Sequence, residues 1–140
     1  MAHPTSSQIL EKEKAMTYSE LLFSFDGRLN RSPYWLKYSL PVMVLYMVCW
    51  GLDAMLGTSF QPGNVGVIYV IFGLANLYPS IAVNVKRCHD RGRSGWFLLV
   101  GLVPLLNIWP AIELGFLRGT VGANQYGPDP LAPTQPQAAA

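Results

Sequence analysis

The sequence has few charged residues, and long stretches have none. Only 13% of its 140 residues are Asp, Glu, Lys or Arg, about half the share of an ordinary soluble domain. Uncharged runs of 15, 32 and 19 residues lie between Lys37 and Asp53, between Asp53 and Lys86, and between Arg93 and Glu113. A helix needs about 20 mainly apolar residues to cross a bilayer. The composition therefore predicts an integral membrane protein.

Three further absences narrow the class of protein. The net charge of +2 is too small for the basic surface of a nucleic-acid binder. The only two cysteines, Cys49 and Cys88, fall in different environments, so no disulfide is expected. No apolar run precedes residue 33, and no cleavable signal peptide is predicted.

The chemistry of an enzyme is also missing from the pattern. No nucleophile, base and acid are spaced as a catalytic set, and the only histidines are His3 and His89. A zinc site needs three or four ligands. We therefore expect a protein that is not an enzyme and has neither a metal nor a cofactor.

The apolar runs and the polar ends of the chain predict an all-α, multi-pass membrane protein with one domain over residues 17–131. Residues 1–16 are expected to be a mobile polar tail, and 132–140 a disordered one. The apolar runs predict three transmembrane helices, at about 33–56, 65–86 and 95–117.

Capping residues predict where the helices begin. Thr17 and Glu20 form a capping box that would start a short amphipathic helix, too short to span and suited to the membrane interface. Ser32 and Pro33 are the expected cap and first turn of the first span. Pro41 is expected to bend that helix without ending it.

The third apolar segment allows two interpretations. Pro104, Asn107 and Pro110 interrupt it, so it is either one kinked span or a re-entrant hairpin that enters and leaves on the same side. A span would place the C-terminus opposite the N-terminus, and a hairpin would place the two on one side.

The basic residues predict the orientation. Loop 57–64 has no Lys or Arg, whereas loop 86–95 has four and the stretch before the first span has several. The positive-inside rule therefore predicts a cytoplasmic N-terminus and a cytoplasmic 86–95 loop.

Three stretches together resemble a known family. They are "FSFDGRLNRSPYW" (23–35), "VKRCHDRGRSGWFLL" (85–99) and "GTVGANQYGPDP" (119–130). The chain is similar, over about residues 18–131, to the small bacterial inner-membrane proteins grouped as domain of unknown function 805. The matching positions are Gly27, Arg28, Arg31, Tyr34 and Trp35; Arg87, His89, Asp90, Ser94, Gly95 and Trp96; and Gly122, Asn124, Tyr126, Gly127, Pro128, Asp129 and Pro130. The resemblance implies a multi-pass membrane fold and no particular activity.

The basic loop is the first candidate site. Lys86 and its arginine neighbours could bind anionic headgroups or a partner protein, at about 1 kcal/mol per basic residue for anionic lipid. The alternative is that they only fix the topology. The candidate lipid- or partner-binding residues are Arg28, Arg31, Arg87, His89, Asp90, Arg91 and Arg93. Asp90 is expected to pair with an arginine of the 27–31 stretch or to cap a helix, and His89 to hydrogen-bond the tail.

A polar stripe is the second candidate. Gly73, Asn76, Ser80 and Asn84 fall on one face of the second span and lead to Arg87. Polar side chains at membrane depth seldom face lipid. The stripe therefore indicates helix packing, or else a polar pathway in a small oligomeric channel or transporter subunit.

Two further features complete the list. Asp53 and Glu113 are expected as exposed carboxylates at the ends of spans. The tail residues Asn124, Tyr126 and Asp129 form a rigid turn, which is expected to dock on the basic loop if both are on one side.

The expected function is a non-enzymatic inner-membrane component whose cytoplasmic arginine-rich loop contacts anionic lipid or a partner protein. The bilayer is the main expected partner, with a homo-oligomer or another membrane protein as further possibilities. The channel or transporter subunit is the alternative function.

Overall fold

The computed structural model describes residues 16–60 and 63–132, so the predicted tails, 1–16 and 132–140, lie outside the described residues except for Met16 and Ala132. The described residues form four α-helices, which we number α1 (Tyr18–Phe23), α2 (Arg31–Leu56), α3 (Val67–Asp90) and α4 (Ile108–Gly115). A 3₁₀ helix covers Gly95–Leu102, and two short strands, β1 (Ser59–Phe60) and β2 (Val65–Gly66), join α2 to α3.

Helix α1 begins at the predicted capping box. The backbone N–H of Thr17 donates to the Glu20 carboxylate at 3.0 Å, which satisfies an amide that a helix start leaves open. The helix is only 6 residues long, and its Leu21 is buried in the small core with Leu29, Tyr38 and Val83.

Helix α2 begins at Arg31, two residues earlier than predicted. The cap is Asn30, whose side-chain oxygen accepts from the Ser32 N–H at 3.1 Å, and the prediction of Ser32 as the cap was wrong. Pro41 lies within the helix, as predicted, but the turn before it is π-helical over Tyr34–Ser39. Because proline has no N–H to donate, a wider turn at this point costs few regular hydrogen bonds.

The connection between the long helices is an antiparallel β-hairpin, with Ser59 opposite Gly66 and Phe60 opposite Val65. The buried carboxylate of Asp53 accepts from the Ile68 and Tyr69 N–H groups at 3.0 and 2.8 Å, and so caps α3. Asp53 is 0% exposed, so the prediction of an exposed carboxylate was wrong. Only glycine fits at position 66, because any Cβ there would collide with the Asp53 side chain.

Helices α2 and α3 pack against each other along their length. Near the β-hairpin, the ring of Tyr46 lies 4.9 Å from that of Tyr69 and 4.8 Å from that of Phe72, between ring centres. Towards the other end, the hydroxyl groups of Tyr38 and Tyr34 donate to Asn76 and Asn84 at 3.2 and 3.1 Å.

The predicted third span is not found in the described residues. Residues 95–115 form two short helical pieces that reverse direction at a turn around Leu105, which has a left-handed φ of 70°. Pro104 supplies no N–H, so the turn interrupts the backbone hydrogen bonding that a continuous helix needs. Both ends of this helical hairpin lie beside the C-terminal end of α3, since Arg93 and Glu113 are in contact.

Two helices of the described residues, α2 and α3, are long and apolar enough to cross a membrane. Large apolar side chains cover their outer surfaces; Met47 is 66% exposed and Leu74 68%. A soluble protein would bury such faces. Five of the six buried charged residues lie near the C-terminal end of α3, in a folded cap made of α1, the start of α2, the basic loop and the tail.

Candidate functional site

The cap is built around one carboxylate. Asp90 ends α3 and is 1% exposed, and its two oxygens face two arginines. Arg28 lies 3.1 Å from one oxygen, and Arg87 lies 2.5 Å from the other. We call Arg28, Arg87 and Asp90 the arginine–aspartate cluster. The cluster joins the segment before α2 to the end of α3. One carboxylate faces two guanidinium groups there, and backbone carbonyl oxygens accept from their other donors, so each buried ion has partners.

The rest of Arg28 holds the C-terminal tail. Its guanidinium donates to the carbonyl oxygens of Thr120 and Gly122 at 2.6 and 2.7 Å, and lies 3.4 Å from that of Gly127. Arginine can do this because its five donors are fixed in a planar fork. An irregular, glycine-rich tail therefore acquires a fixed path around one side chain.

Arg87 fixes the end of the helical hairpin by hydrogen bonds to backbone carbonyl oxygens. It donates to the carbonyl oxygens of Leu114, at 2.5 Å, and Leu117. A third carbonyl, that of Leu29, lies 3.4 Å away. These groups follow α4 and precede α2, where backbone acceptors lack helical partners. Arg87 thus connects three segments that are far apart in sequence.

Lys86 serves α1. Its ammonium donates to the carbonyl oxygens of Glu20, Leu21 and Ser24 at 2.5, 2.6 and 2.7 Å, and the residue is 0% exposed. These are the last acceptors of a helix, where a positive charge is also favoured by the helix dipole. Lys86 therefore fastens α1 to the end of α3.

The tail lies on the basic loop. The rings of His89 and Tyr126 stack with their centres 3.9 Å apart and their planes within 5°. Asn124 donates its amide to the His89 carbonyl oxygen at 2.9 Å, and His89 Nδ1 lies 3.3 Å from the Gly27 carbonyl oxygen. The Thr120 N–H donates to the Asp90 carbonyl oxygen at 2.8 Å. Asp129 does not reach the loop: it accepts from Gly122 and Leu131 and fixes the shape of the tail itself.

A second ionic group closes the foot of the helical hairpin. Glu113 is 3% exposed and accepts from Arg93 and from the indole of Trp109 at 2.5 and 2.7 Å, while Arg91 Nε lies 3.5 Å away. Desolvation of Glu113 would raise its pKa, but the hydrogen bonds from Arg93 and Trp109 outweigh it and lower the pKa below the usual 4.5. Glu113 is therefore an ionised clamp, and the prediction that it is exposed was wrong.

The remaining cations form the outer surface of the cap. Arg31, Lys37 and Arg118 are exposed, and within residues 16–60 and 63–132 none of them has a carboxylate within ion-pair distance. We call these three, with the partly exposed Arg91 and Arg93, the basic rim. Exposed aromatic side chains lie at the same end, with Trp96 79% and Trp109 63% exposed. Basic and aromatic side chains together are typical of a membrane–water interface.

Two kinds of chemistry find no support in the described part of the chain. It contains no group of three or more His, Cys, Asp or Glu side chains placed to hold a metal. Cys49 and Cys88 are both free, as predicted. The cap brings cations, carbonyl oxygens and aromatic rings together, and these groups can stabilise the fold or bind an anion.

Comparison with known proteins identifies the family of the chain. The family model described as "Protein of unknown function (DUF805)" matches residues 22–128, a range that contains α1, both long helices, the basic loop and most of the tail. The chain belongs to the DUF805 family.

Several relatives come from Escherichia coli (strain K12). "Inner membrane protein YhaH" is 36% identical over 106 residues, which cover 76% of this chain and 86% of that protein. "Uncharacterized protein YiiR" is 32% identical, over 81% of this chain and 90% of that one. "Inner membrane protein YhaI" is 30% identical, over 76% and 85%. No solved structure matches the chain significantly. With its two apolar helices, this DUF805 chain is an inner-membrane protein.

The structure of this DUF805 protein divides the predicted binding residues into two sets. Arg28 and Arg87 are buried, and their guanidinium groups hydrogen-bond to Asp90 and to backbone carbonyl oxygens of the cap. Binding of lipid or of a partner protein by these two residues stays a prediction. Asp90 pairs with an arginine of the 27–31 stretch, as predicted. Arg31 and Arg93 remain at the surface.

In this DUF805 chain, Gly73, Asn76 and Asn84 of the polar stripe face tyrosines of α2. Asn76 and Asn84 accept from tyrosines of α2, Asn84 also donates to the Ser80 carbonyl oxygen at 2.8 Å, and Gly73 lies opposite the Tyr46 hydroxyl. The two tyrosine–asparagine hydrogen bonds cross from α2 to α3 and are contacts of helix packing, whereas the Asn84–Ser80 bond lies within α3.

Sequence reasoning missed one contact of the cap. Gly119 lies so close to Asp90 that a Cβ on it would collide with the carboxylate. Asp53 and Gly66 make the same kind of contact at the other end of α3. The signal was a glycine preceding a polar turn, but its partner is 29 positions away in sequence and cannot be identified without the fold.

Proposed function

We propose that this DUF805 protein is a non-enzymatic component of the inner membrane whose cytoplasmic cap contacts anionic lipid headgroups through the basic rim. The observation that supports this most is the separation of the cations. The buried ones hold the cap together, whereas Arg31, Lys37 and Arg118 are exposed without a carboxylate in the described residues. Anionic lipid supplies the missing negative charge.

The proposed topology has two spans. Helices α2 and α3 cross the bilayer, and the helical hairpin over residues 95–115 enters and leaves on the side of the cap. Contact between the tail and the basic loop supports this, because Asn124 and His89 must lie on one side to meet. All ten Lys and Arg residues lie outside the loop between the spans. The positive-inside rule then gives a cytoplasmic cap.

Lipid contact can be tested by the quenching of tryptophan fluorescence. The purified protein is placed in phosphatidylcholine nanodiscs that contain a small fraction of brominated phosphatidylglycerol or, separately, brominated phosphatidylcholine. Stronger quenching by the anionic lipid is expected, because headgroup attraction enriches it around the cap. The excess should fall at high salt, since surface attraction is screened.

Two sets of variants change the same three rim residues, and one set removes the positive charge whereas the other keeps it. With Lys37, Arg93 and Arg118 all replaced by Gln, the excess quenching should fall towards the phosphatidylcholine value. With Lys37→Arg, Arg93→Lys and Arg118→Lys, it should persist. Equal quenching by the two lipids in the wild-type protein would contradict lipid contact and favour a protein partner for the rim.

A further inference from the structure

A groove lies beside the start of α2, between that helix and the end of α4. It has a volume of about 400 Å³ and is lined by Arg31, Ser32, Trp35, Leu36, Gly115 and Phe116. Arg31 begins α2, so the groove lies where the chain enters its first span. Phospholipid headgroups occupy this level of a bilayer.

The polar end of the groove carries an unneutralised charge. The exposed guanidinium of Arg31 donates to the Phe116 carbonyl oxygen at 3.0 Å, and within the described residues no carboxylate lies within 4.0 Å of it. Arg28, in contrast, has Asp90, and Arg93 has Glu113. Since a guanidinium has five donors, Arg31 has several left for an anion. The Ser32 hydroxyl lines the same end.

The other end of the groove is apolar. Leu36 is 67% exposed and Phe116 64%. The Trp35 indole N–H already donates to the Gly115 carbonyl oxygen at 2.8 Å, and its ring lies 5.7 Å from that of Phe116. The wall therefore offers rings and methyl groups without an unpaired donor, which suits an acyl chain.

We propose that this groove binds one anionic phospholipid, with its phosphate on Arg31 and Ser32 and the upper part of an acyl chain against Leu36 and Phe116. The proposal rests on the proposed function and identifies one specific position within it. A free phosphate would use only the polar end and would leave the apolar wall uncovered. A phospholipid matches both ends, by charge complementarity and by burial of apolar surface.

The test is native mass spectrometry of the detergent-solubilised full chain, titrated with phosphatidylglycerol. We expect one lipid to be retained at low concentration, and Arg31→Gln to weaken its binding by about fivefold. The control is Arg31→Lys, which keeps a positive charge at the same position and should retain most of the binding. Ser32→Trp should also weaken binding, because it fills the groove without changing the charge.

Two results would overturn the proposal. One is equal binding by Arg31→Gln and the wild-type protein, and the other is equally tight retention of phosphatidylcholine by the wild-type protein. If Arg31→Gln does not fold, Ser32→Trp provides the same comparison. If the groove proves not to bind a phospholipid, the nanodisc experiment still tests the proposed function, because its variants change only Lys37, Arg93 and Arg118.

Discussion

Arg28 and Asp90 are 62 residues apart in sequence, and their charged groups lie 3.1 Å apart with both side chains at most 2% exposed. This ion pair joins the segment before the first long helix to the end of the second. The same two residues also hold the tail, Arg28 through its donors and Asp90 through its backbone carbonyl. The three sequence motifs are therefore parts of one folded cap.

Asp90→Asn is expected to destabilise the cap strongly. It removes the carboxylate charge that pairs with Arg28 and Arg87, and breaking a buried pair in this way costs about 3–5 kcal/mol. The measurement is the free energy of unfolding in detergent. Asp26→Asn, which removes an exposed carboxylate, should change it by less than about 0.5 kcal/mol. Similar stabilities for the two variants would show that Asp90 is not the centre of the cap.

Lys86→Met is expected to release α1 from the bundle. The carbonyl oxygens of Leu21 and Ser24 would lose the Lys86 ammonium as donor, at roughly 1–3 kcal/mol for each acceptor left buried and unpaired. Amide hydrogen exchange should speed up in residues 18–24 and stay slow in the middle of α3. The control, Lys37→Met, removes an exposed lysine and should leave exchange in α1 unchanged. Unchanged protection of α1 in Lys86→Met would contradict the contact.

Gly119→Ala is expected to displace the tail. The new Cβ would collide with the Asp90 carboxylate, which cannot move without leaving its arginines, and overpacking of this kind costs about 1–3 kcal/mol. Gly101→Ala is the matched control, because nothing lies within 4 Å of a Cβ there. Limited proteolysis should cut the tail of the first variant faster than that of the second. Equal rates of cleavage would mean that the tail does not lie against Asp90.

Glu113 should make the helical hairpin sensitive to acid. Hydrogen bonds from Arg93 and Trp109 hold its folded-state pKa below the usual 4.5. The stability that ionised Glu113 contributes is therefore fully present above about pH 4.5 and is lost as the pH falls through the lowered pKa. Thermal unfolding midpoints between pH 7 and pH 3 should fall less steeply for Glu113→Gln than for the wild type. Parallel curves would rule out this role.

The spans were predictable because length and apolar composition are local properties of a chain. The runs that became α2 and α3 needed no knowledge of the fold, and the pairing of Asp90 followed from an opposite charge in a neighbouring motif. The third apolar run was harder. Hydropathy does not tell whether an apolar run forms one continuous helix. In this chain, the third run is interrupted by a turn in which Leu105 has a positive φ.

The burial of charge could not be predicted. Lys86 and Arg87 are ordinary exposed residues by type, and their burial depends on carbonyl oxygens from three distant segments, at residues 20–24, 29 and 114–117. Asp53 is similar, since its partners are the backbone N–H groups of Ile68 and Tyr69. Backbone donors and acceptors are the same at every position, so a sequence gives no sign of which ones a side chain will meet.

The central claim is that the N-terminal segment and the tail lie on one side of the membrane, in a cytoplasmic cap. The direct measurement is labelling of single introduced cysteines by a reagent that crosses the outer but not the inner membrane. Tyr18→Cys and Leu131→Cys place thiols on exposed cap positions, and Val65→Cys places one between the spans. The account predicts that in intact cells only the Val65→Cys thiol is labelled, and that the other two react once the inner membrane is opened. Labelling of Leu131→Cys together with Val65→Cys in intact cells would contradict it.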